Sequence, residues 1–243
     1  MHTMEVNGRY VKEGFHMANI YVYNNRNDTM EYYTLAETNA MPYNIGRTLT
    51  VREFRGSSRS GTLWTSRRAM EAFNVTRNLW RRPIYVGFAF KRIWEGGHAA
   101  MSQHYAGVSF DTGQNLDSFT RDQLRNTAIQ SGVWTYVEPA YLTPTWVHFD
   151  ARQTPAACAA GGYPLVRYGS AGVYVLTLQD ALNAIGYTGS GLDGYFGGGT
   201  RNAVINFQRS QGLDADGIVG CLTWERLTEL TAGIGQTSTI VNP

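Results

Sequence analysis

The chain of 243 residues carries 21 basic and 19 acidic side chains, which gives a formal net charge of +2. A charge this small does not indicate nucleic-acid binding, and no apolar run approaches the length of a membrane-spanning helix. Hydrophobic residues make up 43% of the chain, which is enough for sizeable cores. The length suits one large domain or two smaller ones.

The first 150 residues combine strand-like and helix-like patterns in irregular order. Three segments have the alternation or the apolar run of a strand: 20–23, 48–51 and 84–90. Two segments have helical periodicity: 66–79 and 120–131. This order predicts an α+β domain over residues 1–150, with an irregular start up to about residue 17.

A repeated pattern marks the C-terminal third of the chain. Asp193–Thr200 recurs as Asp216–Thr223, and each copy reads Asp-Gly, two apolar residues, Gly, two further residues and Thr. Asp-Gly favours a tight turn because glycine accepts positive φ, and the threonine can cap the helix that follows. Helical spacing covers three segments: 173–185, 200–210 and 223–230. We therefore expect a compact module of three helices.

Segment 151–162 lies between these two parts. It is rich in small residues, contains proline and glycine, and has few large apolar side chains, which is typical of a linker. The predicted division is a domain at 1–150, a linker at 151–162, a module at 163–230 and a tail at 231–243.

The chain has two cysteines, Cys158 in the predicted linker and Cys221 in the predicted module. A disulfide fits an oxidising setting. Two thiols fit equally well, because the separation of the two Cα atoms cannot be read from the sequence.

Two short motifs concentrate metal-binding side chains in a chain with five histidines. The first has the form Ser-x-His-x6-Asp and contains His104 and Asp111. The second contains His148 and Asp150, which strand alternation places on one face. On one straight strand His104 and Asp111 would face opposite ways, so we expect a bend at Gly107 or a position for His104 outside the strand. Two imidazoles and a carboxylate suit zinc, which keeps a fourth position open for water in catalytic sites.

The order of these motifs resembles the zinc D-alanyl-D-alanine carboxypeptidase family. That family includes the L-alanyl-D-glutamate endopeptidases of phage lysins and shares its fold with the hedgehog signalling domain. The resemblance implies a hedgehog-like zinc domain of α+β class, with His104, Asp111 and His148 as the three metal ligands. It also implies that Ser102 and Asp150 do not bind the metal but contact the ligand residues and orient them.

In this family a basic residue at a strand end precedes the first motif. The corresponding stretch here is 88–92, so Lys91 or Arg92 would bind a substrate carboxylate or polarise the scissile carbonyl. The alternative is that both are solvated charges. His98 follows on the loop toward the motif, and we expect it to be an exposed histidine rather than a ligand.

The catalytic base is where the sequence departs from the family pattern. Many relatives have Glu-x-x-His at the second histidine ligand, but the corresponding position here is Thr145, which cannot take a proton at neutral pH. The nearest upstream carboxylate is Glu138. We predict that Glu138 acts as general base and acid, since one carboxylate near the metal can do both. Asp150 is the rival candidate, although it more naturally orients His148.

The segment from Tyr163 to about Leu230 resembles the peptidoglycan-binding domain attached to many cell-wall hydrolases. The matching residues include Leu178-Gln179, Asp193–Gly197, Thr200, Phe207-Gln208, Asp216-Gly217 and Thr223-Trp224. A calcium loop at Asp214–Gly217 is rejected, because the regularly spaced oxygen ligands and the closing glutamate are missing. Exposed tips such as Tyr195 would form the binding surface.

Together these features predict a zinc hydrolase that cleaves an amide bond in the peptide part of bacterial peptidoglycan and is anchored to the wall by its C-terminal module. Carboxypeptidase and endopeptidase activity stay open. The alternative is a non-catalytic wall-binding protein with a structural or decayed metal site. We expect a monomer with no nucleic-acid partner and no membrane span.

The predicted location is extracellular or at the cell wall. The first residues lack the charged and apolar regions of a secretory signal. Three routes to the wall stay open, namely a signal removed from this sequence, release by lysis as in phage lysins, and action from inside during sporulation.

Overall fold

The computed structural model describes residues 17–231 and 234 in full and the backbone of two short strands before them. The strands are β1 (Thr3–Val6), β2 (Arg9–Lys12), β3 (Met17–Asn24), β4 (Thr29–Ala36), β5 (Thr62–Ser66), β6 (Val86–Phe88), β7 (Ser109–Thr112), β8 (Tyr136–Val137) and β9 (Val147–Asp150). The helices are α1 (Val51–Arg55), α2 (Arg67–Trp80), α3 (Ser118–Ser131), α4 (Val173–Ala184), α5 (Gly198–Ser210) and α6 (Cys221–Thr231). The chain is thus a mixed helix and strand protein that ends in a helical domain.

The predicted irregular start contains a hairpin, because β1 pairs with β2 in antiparallel orientation. The rest of that start lies outside the described residues, as does the predicted C-terminal tail apart from residues 231 and 234. None of the helices in the described part of the chain is both long and apolar enough to cross a membrane.

Two larger sheets follow the hairpin in the first part of the chain. In the first sheet, β3 lies between an antiparallel β4 and a parallel β5. The alternate residues Ala18, Ile20 and Val22 of β3 are buried, as expected for a strand with one face on the core. The second sheet has the order β6-β7-β9-β8 with antiparallel neighbours throughout. The two central strands of the second sheet carry Asp111, His148 and Asp150 of the predicted metal motifs.

Aromatic side chains join the two sheets. Phe54 of α1 lies with its ring centroid 5.8 Å from that of Phe90 and 6.2 Å from that of Phe110. The Trp64 ring meets Phe90 edge-on at 5.0 Å. Buried aromatic rings contribute large apolar areas to a core. Trp64 also donates from Nε1 to the carbonyl oxygen of Tyr105 at 2.9 Å, which holds the turn that precedes β7.

Helix predictions in this part are confirmed, but two strand predictions need correction. Residues 48–51 are not a strand, since Thr50 caps α1. Its hydroxyl accepts from the Glu53 backbone N–H at 3.2 Å, and the Glu53 carboxylate accepts from the Thr50 N–H at 2.7 Å. This reciprocal capping box favours a helix start over the strand that the apolar alternation suggests. The apolar run 84–90 forms a strand only over Val86–Phe88.

The three predicted helices of the C-terminal module are confirmed as α4, α5 and α6. The sequence repeat has a structural counterpart, because a buried glutamine anchors each Asp-Gly turn. Gln179 donates to Asp193 Oδ1 at 2.8 Å, and Gln208 donates to Asp216 Oδ1 at 3.0 Å. The repeat therefore builds two equivalent turns.

The predicted capping role of Thr200 and Thr223 is wrong. Helices α5 and α6 begin two residues earlier, at Gly198 and Cys221. Both threonine hydroxyls lie inside the first helical turn and accept from the anchoring glutamines, at 3.1 Å for Thr200 and 3.2 Å for Thr223. The threonines therefore complete the glutamine networks rather than cap helices.

Contacts cross the predicted linker at several points. Cys158 and Cys221 form a disulfide between the linker and α6, which resolves the open alternative of free thiols. Helix α4 packs against β5 and against the 3₁₀ turn Ile93–Glu95. The division at 151–162 stays a prediction, and both parts contribute to one continuous hydrophobic core.

Candidate metal centre

The centre of the second sheet brings one histidine and one aspartate face to face. Asp111 in β7 and His148 in β9 are direct partners in the antiparallel register. Directly opposed residues of such a pair have side chains on the same face, about 5 Å apart at Cβ. Asp111 Oδ1 lies 2.7 Å from His148 Nδ1. Strand pairing therefore places these two side chains together.

His104 reaches the same place from the turn that precedes β7. Gly107 gives this turn its bend, with φ at +67°. A Cβ atom at Gly107 would lie 1.9 Å from the carbonyl oxygen of Trp64, so only glycine fits. Both expected solutions to the seven-residue spacing hold, since His104 lies outside the strand and the chain bends at Gly107. His104 Nε2 lies 3.2 Å from Asp111 Oδ2.

Each imidazole uses its second nitrogen to fix its orientation. His104 Nδ1 lies 3.0 Å from the Ala89 carbonyl oxygen, an acceptor that requires a proton on Nδ1 and leaves Nε2 for the centre. His148 Nε2 lies 3.2 Å from Asp150 Oδ2. Asp150 is fully buried and also accepts from the Arg152 Nε at 2.7 Å. Outer partners of this kind fix the tautomer and ring orientation of metal-binding histidines.

Asp111 and His148 shift each other's pKa. Burial would raise the pKa of Asp111, but hydrogen bonds from His104 and His148 hold it well below its usual range. Burial would likewise lower the pKa of His148, but its contacts with Asp111 and Asp150 raise it to about 9. Because a ligating imidazole must be neutral, a metal ion would compete with this proton, and binding would release it.

The donor set fits zinc. One ligand atom each from His104, Asp111 and His148 lies within 4.8 Å of the other two. Two imidazole nitrogens and a carboxylate oxygen are ligands that zinc takes in catalytic sites. The three side chains line a cavity of about 410 Å³, so the centre opens to an approaching molecule.

Glu138 lines the same cavity. It follows β8, and its backbone N–H donates to the His148 carbonyl oxygen at 2.9 Å. The strand neighbouring His148 therefore brings Glu138 to the same cavity, although ten residues separate the two in sequence. Asp150 instead is fully buried and held by His148 and Arg152, so of the two candidate bases Glu138 is the one that lines the cavity.

The structure places three further predicted site residues in different surroundings. Arg92 is 0% exposed and pairs with Asp180 of α4 at 2.5 Å, so the prediction that it contacts substrate is wrong. Lys91 stays a candidate, and its Nζ lies near Gly97 on the loop that borders the cavity. Ser102 lines the cavity, and its hydroxyl lies 3.4 Å from the His104 backbone nitrogen.

Tyr195, the predicted wall-binding tip, lies where the helical part meets the first sheet. Its side chain is 44% exposed, but its hydroxyl accepts from the backbone N–H of Met30 at 3.0 Å. A contact with peptidoglycan through Tyr195 stays a prediction.

His98 is the site residue that sequence reasoning missed. It lines the cavity, with its ring centroid 4.7 Å from that of His104 and 4.2 Å from that of Phe88. Its backbone N–H and carbonyl both bond the Tyr105 hydroxyl, which fixes the loop. Burial, and to a lesser extent the proximity of His104, lower the pKa of His98 to about 4, so it is neutral at pH 7. Gly96 and Gly97, which precede His98, were the sequence signal that this loop could pack closely against the site.

Comparisons with known proteins concern the helical part. Residues 172–227 match the family described as "Putative peptidoglycan binding domain". A protein of Kitasatospora aureofaciens described as uncharacterized is 46% identical over 72 residues, which are 28% of this chain and 61% of that protein. The spore cortex-lytic enzyme of Oceanobacillus iheyensis is 35% identical over 27% of this chain and 24% of its own length. The zinc D-Ala-D-Ala carboxypeptidase of Streptomyces albus G is 42% identical over 26% of this chain and 25% of its own length.

This chain thus spans about three fifths of the first relative and about a quarter of the other two. The likeness lies in the region of the binding domain and leaves the metal motifs outside it. The glutamine-anchored turns, the helices α4 and α5 and the first part of α6 fall within the matched residues. The comparisons therefore identify residues 172–227 as a segment that matches the peptidoglycan-binding domain family.

Proposed function

We propose that the protein is a zinc-dependent hydrolase that cleaves an amide bond in the peptide part of bacterial peptidoglycan. The carrying observation is the convergence of His104, Asp111 and His148 at the cavity, from a turn and two paired strands. The family of residues 172–227 and the names of two relatives, a cortex-lytic enzyme and a zinc carboxypeptidase, support the cell wall as the site of action.

In the proposed mechanism the chain's own groups bind, orient and move a proton. His104 Nε2, His148 Nδ1 and Asp111 would hold the zinc ion. Bound zinc would act as a Lewis acid and lower the pKa of a coordinated water to about 7. Glu138 takes the proton from the attacking water and returns it to the leaving amine. Lys91, at the border of the cavity, neutralises a substrate carboxylate.

The helical domain adds affinity for the polymer. By holding the chain on the wall it raises the local concentration of peptide stems around the cavity. This agrees with a location at the cell wall or spore cortex. Mass spectrometry of digested peptidoglycan identifies the products. The products show whether the cleaved bond is terminal or internal in the peptide.

The alternative of a wall-binding protein with a structural metal site has less support. Structural zinc sites usually have four protein ligands, whereas catalytic sites have three and an open position. Within residues 17–231 the cluster at the cavity has three, and it borders open space.

We expect purified protein to carry one zinc ion per chain, and His104→Ala and His148→Ala to lose it. Each substitution removes one of three ligands, and the remaining two cannot complete a tetrahedral site. Metal analysis after dialysis measures the content. His98→Ala is the matched control and should retain zinc, because the ligand set does not include His98. Equal zinc content in all four proteins would refute the assignment.

A further inference from the structure

The turn that carries His104 is held by hydrogen bonds from the C-terminal part of the chain. Tyr163 donates from its hydroxyl to the Ser102 carbonyl oxygen at 2.7 Å. Tyr174, in α4, donates from its hydroxyl to Gln103 Oε1 at 2.8 Å. Gln103 Nε2 in turn donates to the Gly162 carbonyl oxygen at 3.1 Å. Gln103, which precedes His104, therefore has both the oxygen and the nitrogen of its side-chain amide hydrogen-bonded to residues of the C-terminal part of the chain.

These contacts lie away from solvent. Gln103 is 5% exposed, Tyr174 is 4% exposed and Tyr163 is 0% exposed. A buried polar group that loses its partner is costly, so each hydrogen bond strongly favours a single geometry. The Tyr174 hydroxyl is also used as an acceptor by the backbone N–H of Gln153 at 3.0 Å. These two hydrogen bonds hold the Tyr174 side chain in one orientation.

Other hydrogen bonds hold the residue that follows His104, because Trp64 Nε1 and Thr177 Oγ1 of α4 donate to the Tyr105 carbonyl oxygen at 2.9 Å and 3.2 Å. The imidazole of His104 meets the Ala89 carbonyl oxygen, and its own carbonyl oxygen accepts from Lys91 N–H at 3.4 Å and from Gly107 N–H at 3.1 Å. The contacts with Ala89 and Lys91 attach His104 to the chain segment that precedes the turn. On the residue before His104, the side-chain amide of Gln103 is held by the Tyr174 hydroxyl and the Gly162 carbonyl oxygen.

We propose that Gln103 is a positioning residue, held by Tyr174 of the peptidoglycan-binding domain, which aims His104 at the metal. The binding domain is then a structural part of the metal site as well as an anchor. This inference rests on the proposed function, because it takes His104 as a metal ligand.

Tyr174→Phe tests the proposal, since it removes one hydroxyl and keeps the ring. We expect zinc affinity to fall by about 10- to 100-fold, the range for outer partners of metal ligands, when it is measured by competition with a chelator. We also expect faster hydrogen exchange at the amides of residues 103–108 in the metal-free protein. The absorption spectrum of the cobalt-loaded variant should change as the His104 geometry loosens.

Tyr187→Phe is the matched control. Its hydroxyl lies 2.6 Å from Ser210 Oγ within the same domain, so the variant also loses one tyrosine hydrogen bond, at an exposed position away from the turn. It should change neither zinc affinity nor exchange at 103–108. Gln103→Met gives a second route, because it keeps the side-chain length and removes both amide contacts, and it should match Tyr174→Phe.

Two outcomes separate this inference from the proposed function. Unchanged exchange and unchanged zinc affinity in both Tyr174→Phe and Gln103→Met would overturn the positioning role. Faster exchange in these variants, in a protein that binds no zinc even in its wild-type form, would overturn the metal site and with it the positioning of a ligand. The physical link between Tyr174 and the turn would remain.

Discussion

Glu138→Gln is expected to lower the rate of peptidoglycan cleavage by about 10²- to 10⁴-fold, the usual contribution of a positioned proton-transfer group. The amide has the shape of the carboxylate but cannot take the proton of the attacking water. Zinc content should stay at the wild-type level, because Glu138 is not among the three ligands. Release of soluble peptides from purified walls measures the rate, and metal analysis of the same sample checks the zinc.

Asp150→Asn is the control that separates proton transfer from ligand orientation. Asp150 contacts His148 and Arg152 and is buried, so the variant should weaken zinc binding by about 10- to 100-fold and regain activity at high zinc. Glu138→Gln should gain nothing from added zinc. Full activity in Glu138→Gln would show that the base lies elsewhere.

Asp180→Ala is expected to destabilise the protein by about 3–5 kcal/mol, the range for removing one partner of a buried ion pair. Both side chains of the Arg92–Asp180 pair are 0% exposed, and the Arg92 guanidinium also lies over the Trp64 ring at 4.9 Å. In the wild-type protein the Asp180 carboxylate balances the charge of the Arg92 guanidinium. Without Asp180 this buried positive charge loses that partner and is still kept away from water. Urea unfolding followed by tryptophan fluorescence measures the change.

Two comparisons test the cause of this loss. The double variant Arg92→Met with Asp180→Leu removes both charges and should recover much of the stability, because a well-packed apolar pair often replaces a buried ion pair at little cost. Glu229→Gln breaks the exposed pair with Arg226 and should change stability little. Equal effects of Asp180→Ala and Glu229→Gln would contradict the importance of burial.

The sequence was most informative where local spacing decides geometry. Alternation in β9 placed His148 and Asp150 on one face, and the need for a bend at Gly107 followed from the spacing of His104 and Asp111. The helices followed from periodicity. These features depend on neighbours within a few residues, so one sequence suffices to predict them.

The role of Arg92 could not be predicted in this way. Its partner Asp180 lies 88 residues away in a different part of the chain, and no local pattern links the two. His98 was missed for a related reason, since its position depends on how the loop packs on Tyr105 and Phe88. The strand predicted at 48–51 failed because apolar alternation was weighed without the capping pair Thr50 and Glu53.

The contact between α4 and the sheets has a consequence for how such proteins diversify. Wall-binding domains joined by a free tether can be exchanged by recombination without regard to the catalytic partner. Here an incoming domain would have to supply an acidic residue at the position of Asp180 and a hydroxyl at that of Tyr174. Successful exchange would therefore be confined to domains that already match this surface.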